Sequence, residues 1–354
     1  MPTLFEPCTL RGIVLRNRVA MSPMCTYSSP DGRPTQWHLT HLGARAVGGV
    51  GLVMAEAAAV DPIGRISLFD VGFWEDAQIE PWMPIVRFIR DAGAVPGAQI
   101  AHAGRKAGTR PPWEGRGPVP AESGGWIPLA PSPIPFSDTH RRPREIAASE
   151  LPAIAQSWAD AARRVLAAGF QVVELHMAHG YLLHQFLSPL SNRRDDAYGG
   201  SPANRMRFPL QVAGAVRAVW PDHLPLFARI SATDWVPGGW DAEQAVLFCR
   251  ELKALGVDLV DCSSGGLSPQ QQVPLGPGYQ VPFAERVRRE ARVATGAVGL
   301  ITEPSQAEEI VRQGRADLIL LGRELLRDPY WPLRAASELG QPAPWPRQYA
   351  WAVG

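Results

Sequence analysis

Eight short apolar runs, each followed by a stretch with helical spacing, predict an α/β protein built as a (β/α)8 TIM barrel. Two further observations support that fold class. Polar and glycine positions follow the apolar runs, which places them together on one rim of such a barrel. No internal repeat and no linker divides the 354 residues, so the chain reads as one unit over 1–354. A doubly wound sheet is the alternative, but it rarely reaches eight regular units.

The elements follow in order. Arg18–Met24 is the first run, stopped by Pro23, and Trp37–Val47 has helical spacing behind it. Gly51–Ala57 pairs in the same way with Ile79–Ala92. Val95–Ala101 leads into a long excursion, 104–144, rich in Gly, Pro and Trp and too broken for a core element. Such a segment is expected to be a lid or a compact surface loop. Ser149–Ala168 is an amphipathic helix with Ser149 and Glu150 at its start. The later pairs are Val172–Met177 with Ala203–Val219, Leu226–Ser231 with Ala242–Leu255, and Leu259–Ser263 with Phe283–Ala291. Thr295–Ile301 with Ser305–Gln313, and Leu318–Gly322 with Leu325–Leu339, complete the eight. The tail, 340–354, is too rich in proline to be helical, and its aromatics need a surface, such as a neighbouring subunit.

Composition narrows the function. A hydrophobic fraction of 45% and a charged fraction of 19% are those of a soluble globular protein. A net charge of +1 gives no reason to expect nucleic acid or an anionic membrane. Cys8, Cys25, Cys249 and Cys262 have neither zinc nor iron–sulfur spacing and suit a reducing compartment. No signal peptide is visible, and the Gly-rich stretch 46–60 is a poor membrane span, so a cytoplasmic location is expected.

The densest chemistry lies at Val172-Val-Glu-Leu-His176-Met-Ala-His179-Gly-Tyr181. On a strand, Glu174 and His176 share one face. His179 would point away from His176 unless the strand stops near Met177, and Gly180 gives the freedom to turn there. Two imidazoles and a phenol then meet at a strand's C-terminal end. As metal ligands they lack a third partner at a convincing spacing, and H-E-x-x-H is absent. Satisfied core histidines are the bland reading. As a pair beside Tyr181 they suit donors to a carbonyl oxygen, each worth about 3 kcal/mol once charge develops there. A tyrosine with a reference pKa of about 10 can supply a proton.

Other positions are less decisive alone. Gly299, Gly322 and Arg323 suit a phosphate at strands seven and eight, or simply tight turns. Arg229 is inward-facing in an apolar strand and needs an anionic partner; Glu174 on the next strand is one, the electron-rich edge of a ligand such as a flavin another. Gln99 can supply an amide to the same ring, or cap a loop. Cys25 is a buried small residue or a thiol beside a redox ring. The two lysines, Lys106 and Lys253, fall on no strand end, which disfavours Schiff-base chemistry.

Together the motifs resemble the Old Yellow Enzyme family of FMN-dependent ene-reductases, in its thermophilic-like subgroup. They are Ser22-Pro-Met-Cys25-x-Tyr27, Ala98-Gln-Ile-Ala-His-Ala-Gly-Arg-Lys106, His176-x-x-His179-Gly-Tyr181, Leu187-Ser-Pro-Leu-Ser-Asn192, Asp196-x-Tyr-Gly-Gly-Ser-x-x-Asn-Arg205, Asp261-Cys-Ser-Ser-Gly-Gly266 and Leu321-Gly-Arg-Glu-Leu-Leu-Arg-Asp-Pro329. The resemblance implies tightly held FMN contacted by Ser22, Pro23, Met24, Cys25, Ala57, Gln99, Arg229, Ser264, Gly299, Gly322 and Arg323. It implies NADPH as hydride donor, and enones, nitroalkenes or quinones as substrates. Cys25 resembles the thiol that tunes the flavin, His176 and His179 the pair that holds the substrate carbonyl, Tyr181 the proton donor and Tyr27 a second phenol at the ligand. In several relatives a C-terminal arginine enters the neighbouring subunit's site. Trp351 stands at that place here, so a homodimer or homotetramer is expected, with Trp351 narrowing the partner's pocket by bulk. Two alternatives stand beside this one: a related flavin barrel acting on dienoyl-CoA or amines, disfavoured by four dispersed cysteines, and a flavin carrier or redox sensor built on Cys25.

Overall fold

The computed structural model describes residues 2–115, 117–343 and 345–352. Eight parallel strands close into a barrel, as the alternation predicts. They are β1 (Val19–Met21), β2 (Leu52–Ala59), β3 (Val95–Ala101), β4 (Val172–Met177), β5 (Leu226–Ser231), β6 (Leu259–Ser263), β7 (Ala294–Ala297) and β8 (Leu318–Leu321). β8 pairs with β1 to close the ring. Around it lie α1 (Gln36–Val47), α2 (Ile79–Asp91), α3 (Leu151–Ala167), α4 (Leu182–Leu187), α5 (Pro202–Arg217), α6 (Ala242–Ala254), α7 (Val281–Ala291), α8 (Pro304–Arg312), α9 (Arg323–Arg327) and α10 (Trp331–Glu338). Among the described residues no helix is long and apolar enough to cross a membrane.

The strands are buried along their length because helices cover the outer face and side chains fill the inner one. Inward positions fall in register around the ring. Gln99 on β3 is level with Glu174 on β4, and Arg229 on β5 lies between His176 on β4 and Asp261 on β6. A bulge at Glu56 shifts the β2–β3 register by one residue between Ala55 and Ala57. It turns the end of β2 so that Glu56 and Ala57 serve different neighbours.

Four features depart from the sequence reading. The first and seventh strands are shorter than the apolar runs, because each run continues into the loop that follows. The last predicted helix is two, α9 and α10, parted at Asp328-Pro329, where proline cannot continue the hydrogen-bonding pattern. An N-terminal hairpin, Cys8–Leu10 with Ile13–Leu15, was not foreseen. It lies against the N-terminal ends of β5 and β6, where Arg11 bonds to the Asp222 and Gly256 carbonyls and to Asp258. The tail does form a helical turn, the 3-10 helix Arg347–Ala352, correcting the expectation of no helix. Proline's fixed φ excludes an α-helix interior but suits a turn that follows it.

The excursion after β3 is folded against the rest. Leu129–Ala130 pairs with Arg144–Glu145, and Leu129, Ala130 and Ile146 are buried. Trp126 donates from Nε1 to the Ile63 carbonyl at 2.8 Å. The Arg65 guanidinium lies 5.0 Å from the Trp126 ring and 5.4 Å from Trp74. Cation–π contacts of this kind pin the excursion to the loop after β2.

Candidate active site

β4 ends at Met177, and the chain turns at once. His179 itself takes a left-handed conformation, φ 58°, followed by Gly180 at φ 73°. The turn therefore begins one residue before the predicted glycine. Histidine tolerates this region better than most residues, but three contacts hold it there. Its N–H donates to Ser231 Oγ at 2.9 Å, its carbonyl accepts from Lys106 Nζ at 2.9 Å, and its Nε2 lies 2.7 Å from Ser263 Oγ. Gly180 must be glycine, since a Cβ there would sit 2.2 Å from the Gly266 carbonyl oxygen. Its N–H is taken by His184 Nδ1 at 2.9 Å, and His184 Nε2 lies 2.9 Å from Asp234 Oδ1 in a wholly buried pair.

The turn brings the predicted trio together. The His176 ring is 5.1 Å from that of His179 and 4.8 Å from that of Tyr181, edge-on to both. His176 Nδ1 accepts the Ala178 N–H at 3.2 Å, so a neutral ring carries its proton on Nε2. Burial, then the nearby Arg229 guanidinium, pushes both imidazoles well below the ordinary histidine range. Both are neutral at pH 7.

These side chains line an inner cavity of about 240 Å³ with Ser22, Pro23, Met24, Cys25, Ala57, Gln99, Arg229, Val298, Gly322 and Arg323. An outer cavity of about 270 Å³ shares Arg229, Val298, Gly322 and Arg323 and adds Ser263, Tyr279, Gln280, Gly299 and Thr302. Most of the residues singled out in the sequence thus surround two adjoining spaces. Ser264 lines neither, and its hydroxyl donates to Gln280 Oε1 at 2.6 Å and accepts from Trp235 Nε1 at 2.9 Å. Tyr27 sits beside the inner cavity, packed with Cys25 and Tyr181 against Ile66, Ala103 and Ala107, its ring edge-on to Trp113. Trp351 is 97% exposed on this chain.

The charged layer under the cavity corrects the expected partner of Arg229. Its Nε lies 3.0 Å from Asp261 Oδ2, at ion-pair distance without hydrogen-bond alignment. Glu174 instead accepts from Gln99 Nε2 at 2.7 Å. Burial, then the Asp261 charge, raises the Glu174 carboxyl to about 8, so it is protonated at pH 7. Burial likewise raises Asp261, with Arg229 opposing. Cys25 is held well above the ordinary thiol range by burial, then by Asp70 and Glu56, so it is a thiol and not a thiolate.

Three contributors have no role in the sequence reading. Lys106 reaches back from a 3-10 turn to donate to the His179 and Gly266 carbonyls, over the Tyr181 and Phe136 rings at 5.2 and 4.5 Å. Ser263, not Ser264, faces inward, which alternation from inward Asp261 would have shown. Glu56 accepts from Thr26 at N and Oγ1, 2.9 and 2.6 Å, and so holds the segment between Cys25 and Tyr27.

The donor set suits FMN. Ser22 Oγ is buried at the cavity wall without a hydrogen-bond partner, and the Arg229 side chain, its Nε turned to Asp261, lines both cavities, so the wall suits a ligand rich in acceptors. Arg323 adds a cation where both cavities meet. FMN carries acceptors on its ring edge and an anionic phosphate, matching these two groups.

Comparison with known proteins agrees. Residues 3–341 match the NADH:flavin oxidoreductase / NADH oxidase family. The NADPH dehydrogenase of Geobacillus thermodenitrificans (strain NG80-2) is 50% identical over 348 residues, 98% of this chain and 97% of that protein. Morphinone reductase in complex with tetrahydroNAD has the same fold, with a TM-score of 0.80 at 28% identity over 97% of this chain and 92% of that one. The old yellow enzyme homologue of Zymomonas mobilis gives 0.79 at 25% identity, over 97% and 94%. The resemblance read from the motifs is borne out: the chain belongs to the NADH:flavin oxidoreductase / NADH oxidase family and is an FMN-dependent oxidoreductase.

Proposed function

We propose that this oxidoreductase takes hydride from NADPH and reduces the activated C=C bond of α,β-unsaturated ketones, aldehydes, maleimides or nitroalkenes. The observation that carries the proposal is the pair of neutral imidazoles, His176 and His179, beside the Tyr181 phenol on one wall of the inner cavity. A flavin carrier would have no need of that trio. The name of the relative at 50% identity supports NADPH as the donor.

Bound FMN supplies the hydride chemistry, held by Arg229, Gln99, Ser22, Cys25, Ala57, Gly322 and Arg323. The chain's own groups act on the substrate. His176 and His179 donate hydrogen bonds to its carbonyl or nitro oxygen and draw electron density from the β carbon. Negative charge builds on that oxygen as hydride arrives at Cβ, and two fixed donors in a water-poor cavity stabilise it by about 3 kcal/mol each. Their neutrality matters: a neutral imidazole donates a hydrogen bond from its N–H but, unlike an imidazolium, does not hand its proton over to the substrate oxygen. Tyr181, edge-on to His176, gives that proton. Hydride at Cβ and proton at Cα leave the saturated product. The imidazoles line the inner cavity, and nicotinamide and enone occupy it in turn in this reading, which is ping-pong kinetics.

Colour tests the proposal. The purified protein is expected to be yellow, to bleach with NADPH without oxygen, and to regain colour with cyclohexenone. Bleaching with no reoxidation by any enone, nitroalkene or quinone would favour the carrier.

A further inference from the structure

His179 has two ring nitrogens, and the reaction described above needs the one facing the cavity to be a donor. We propose that the Ser263 hydroxyl sets this, donating its proton to His179 Nε2 and so holding the imidazole as the Nδ1–H tautomer. Ser263 is a positioning residue in this role. The functional consequence rests on the reading of His179 as a carbonyl donor; the tautomer does not.

The hydroxyl has one proton and two acceptors within reach: His179 Nε2 at 2.7 Å and Gln280 Oε1 at 3.3 Å. A chain of bonds around Gln280 decides between them. Gln280 Nε2 donates to the Val298 carbonyl at 3.1 Å. Reversing the amide would set its oxygen against that carbonyl, so Oε1 faces the two serines. Trp235 Nε1, which can only donate, bonds to Ser264 Oγ at 2.9 Å. Ser264 passes its own proton to Gln280 Oε1 at 2.6 Å. Gln280 Oε1 already accepts the short bond from Ser264, and of the two acceptors near Ser263 the imidazole nitrogen at 2.7 Å is closer than the amide oxygen at 3.3 Å. The short contact to the imidazole takes it, Nε2 becomes an acceptor, and a neutral ring then carries its proton on Nδ1.

The arrangement makes the two imidazoles complementary. The Ala178 N–H occupies His176 Nδ1 and leaves the proton on Nε2. Ser263 occupies His179 Nε2 and leaves the proton on Nδ1. One backbone donor and one side-chain donor, on opposite nitrogens, convert both rings into donors at their remaining edge.

The test is nitrogen NMR of the FMN-loaded protein labelled at histidine, with His179 assigned from the signals lost in His179→Asn. The parent is expected to show Nδ1 protonated and Nε2 bare. Ser263→Ala should populate the opposite tautomer, and Ser263→Thr, which keeps the hydroxyl, should retain the parent pattern. Because only the Nδ1–H fraction is competent, Ser263→Ala is expected to lower kcat/KM for cyclohexenone by about three- to tenfold. A parent protonated at Nε2 overturns the proposal. So does Ser263→Ala with its tautomer unchanged. A tautomer that shifts with no loss of kcat/KM upholds the role of Ser263 and instead removes His179 as a carbonyl donor, so the two failures are told apart.

Discussion

Glu56→Gln is a near-isosteric change whose effect follows from hydrogen-bond counting. Glu56 is buried at the bulge of β2, and its carboxylate faces three donors. Oε2 accepts the Thr26 N–H at 2.9 Å and Oε1 accepts the Thr26 hydroxyl at 2.6 Å, while His38 Nε2 lies 3.4 Å from Oε1 without hydrogen-bond alignment. His38 cannot withdraw its proton from that side, because its Nδ1 already accepts the Thr35 N–H at 2.9 Å. A glutamine can keep its oxygen toward the Thr26 N–H, and the threonine hydroxyl can turn to accept from the new amide. The amide and His38 Nε2 then face each other as donors. A bond to a charged group contributes about 1.5–3 kcal/mol, and an unsatisfied buried donor costs about as much, so a loss of about 2–3 kcal/mol is expected. For a chain of this size that lowers the melting temperature by about 3–4 °C at fixed scan rate. Thr26 stands between Cys25 and Tyr27, and Tyr27 holds a left-handed conformation at φ 48° that the clamp helps to fix. The same substitution is therefore expected to raise KM for an enone about threefold or more, because positioning at the cavity wall is lost. Calorimetry and initial rates on one preparation check both. A Glu56→Gln protein melting within about 1 °C of the parent, with KM unchanged, would refute the reasoning.

Three further outcomes are expected. Glu174 has a folded-state value of about 8 against an ordinary value of 4.5, so the folded protein binds a proton that the unfolded chain does not. Stability falls as pH rises through that window, by up to about 1.4 kcal/mol per unit, and Glu174→Gln should flatten this component; urea denaturation of both proteins at pH 5.5 and 7.5, finding equal slopes, would contradict it. Lys106→Met removes the donor to the His179 and Gly266 carbonyls and is expected to lower kcat/KM about tenfold, with a smaller effect on melting; an unchanged kcat/KM would show that the turn holds without the ammonium. Trp351→Ala is expected to widen the range of bulky enones accepted, if the tail serves a neighbouring subunit's pocket, and a substrate screen showing identical range and affinity would remove that role.

What the sequence made legible was whatever depends on order along one strand. The polar residues after each apolar run, from Ser22 to Arg323, do converge at the strand ends, because parallel strands in a closed barrel send all their C-termini the same way. Contacts between elements were harder to read. Arg229 has inward carboxylates on both neighbouring strands, one level with it and one a pleat away, and sequence offers no reason to choose Asp261 over Glu174 until the register is known. Lys106 lies on no strand, yet its four-carbon stem lets the ammonium return to the rim from a turn. The serine pair shows the opposite case: two identical neighbours, only one of which can face inward, were separable by counting from Asp261.

The choice of Asp261 over Glu174 shapes the chemistry above it. One guanidinium can neutralise one carboxylate, and a second ionised carboxylate in the same buried layer would be repelled by the first. The structure resolves this by leaving Glu174 protonated, bonded to Gln99, while Asp261 faces Arg229. With His176 and His179 also neutral, Arg229 and Asp261 are left facing each other as the layer's ion pair. A neutral floor does not repel electron density arriving in the cavity, and it leaves the imidazole N–H groups as the strongest features that density meets. Ionising Glu174 in alkali would place an uncompensated negative charge beneath the same cavity. The loss of stability expected above pH 4.5 should therefore be joined, near pH 8, by weaker binding of ligands that bring negative charge to the imidazoles, such as phenolates.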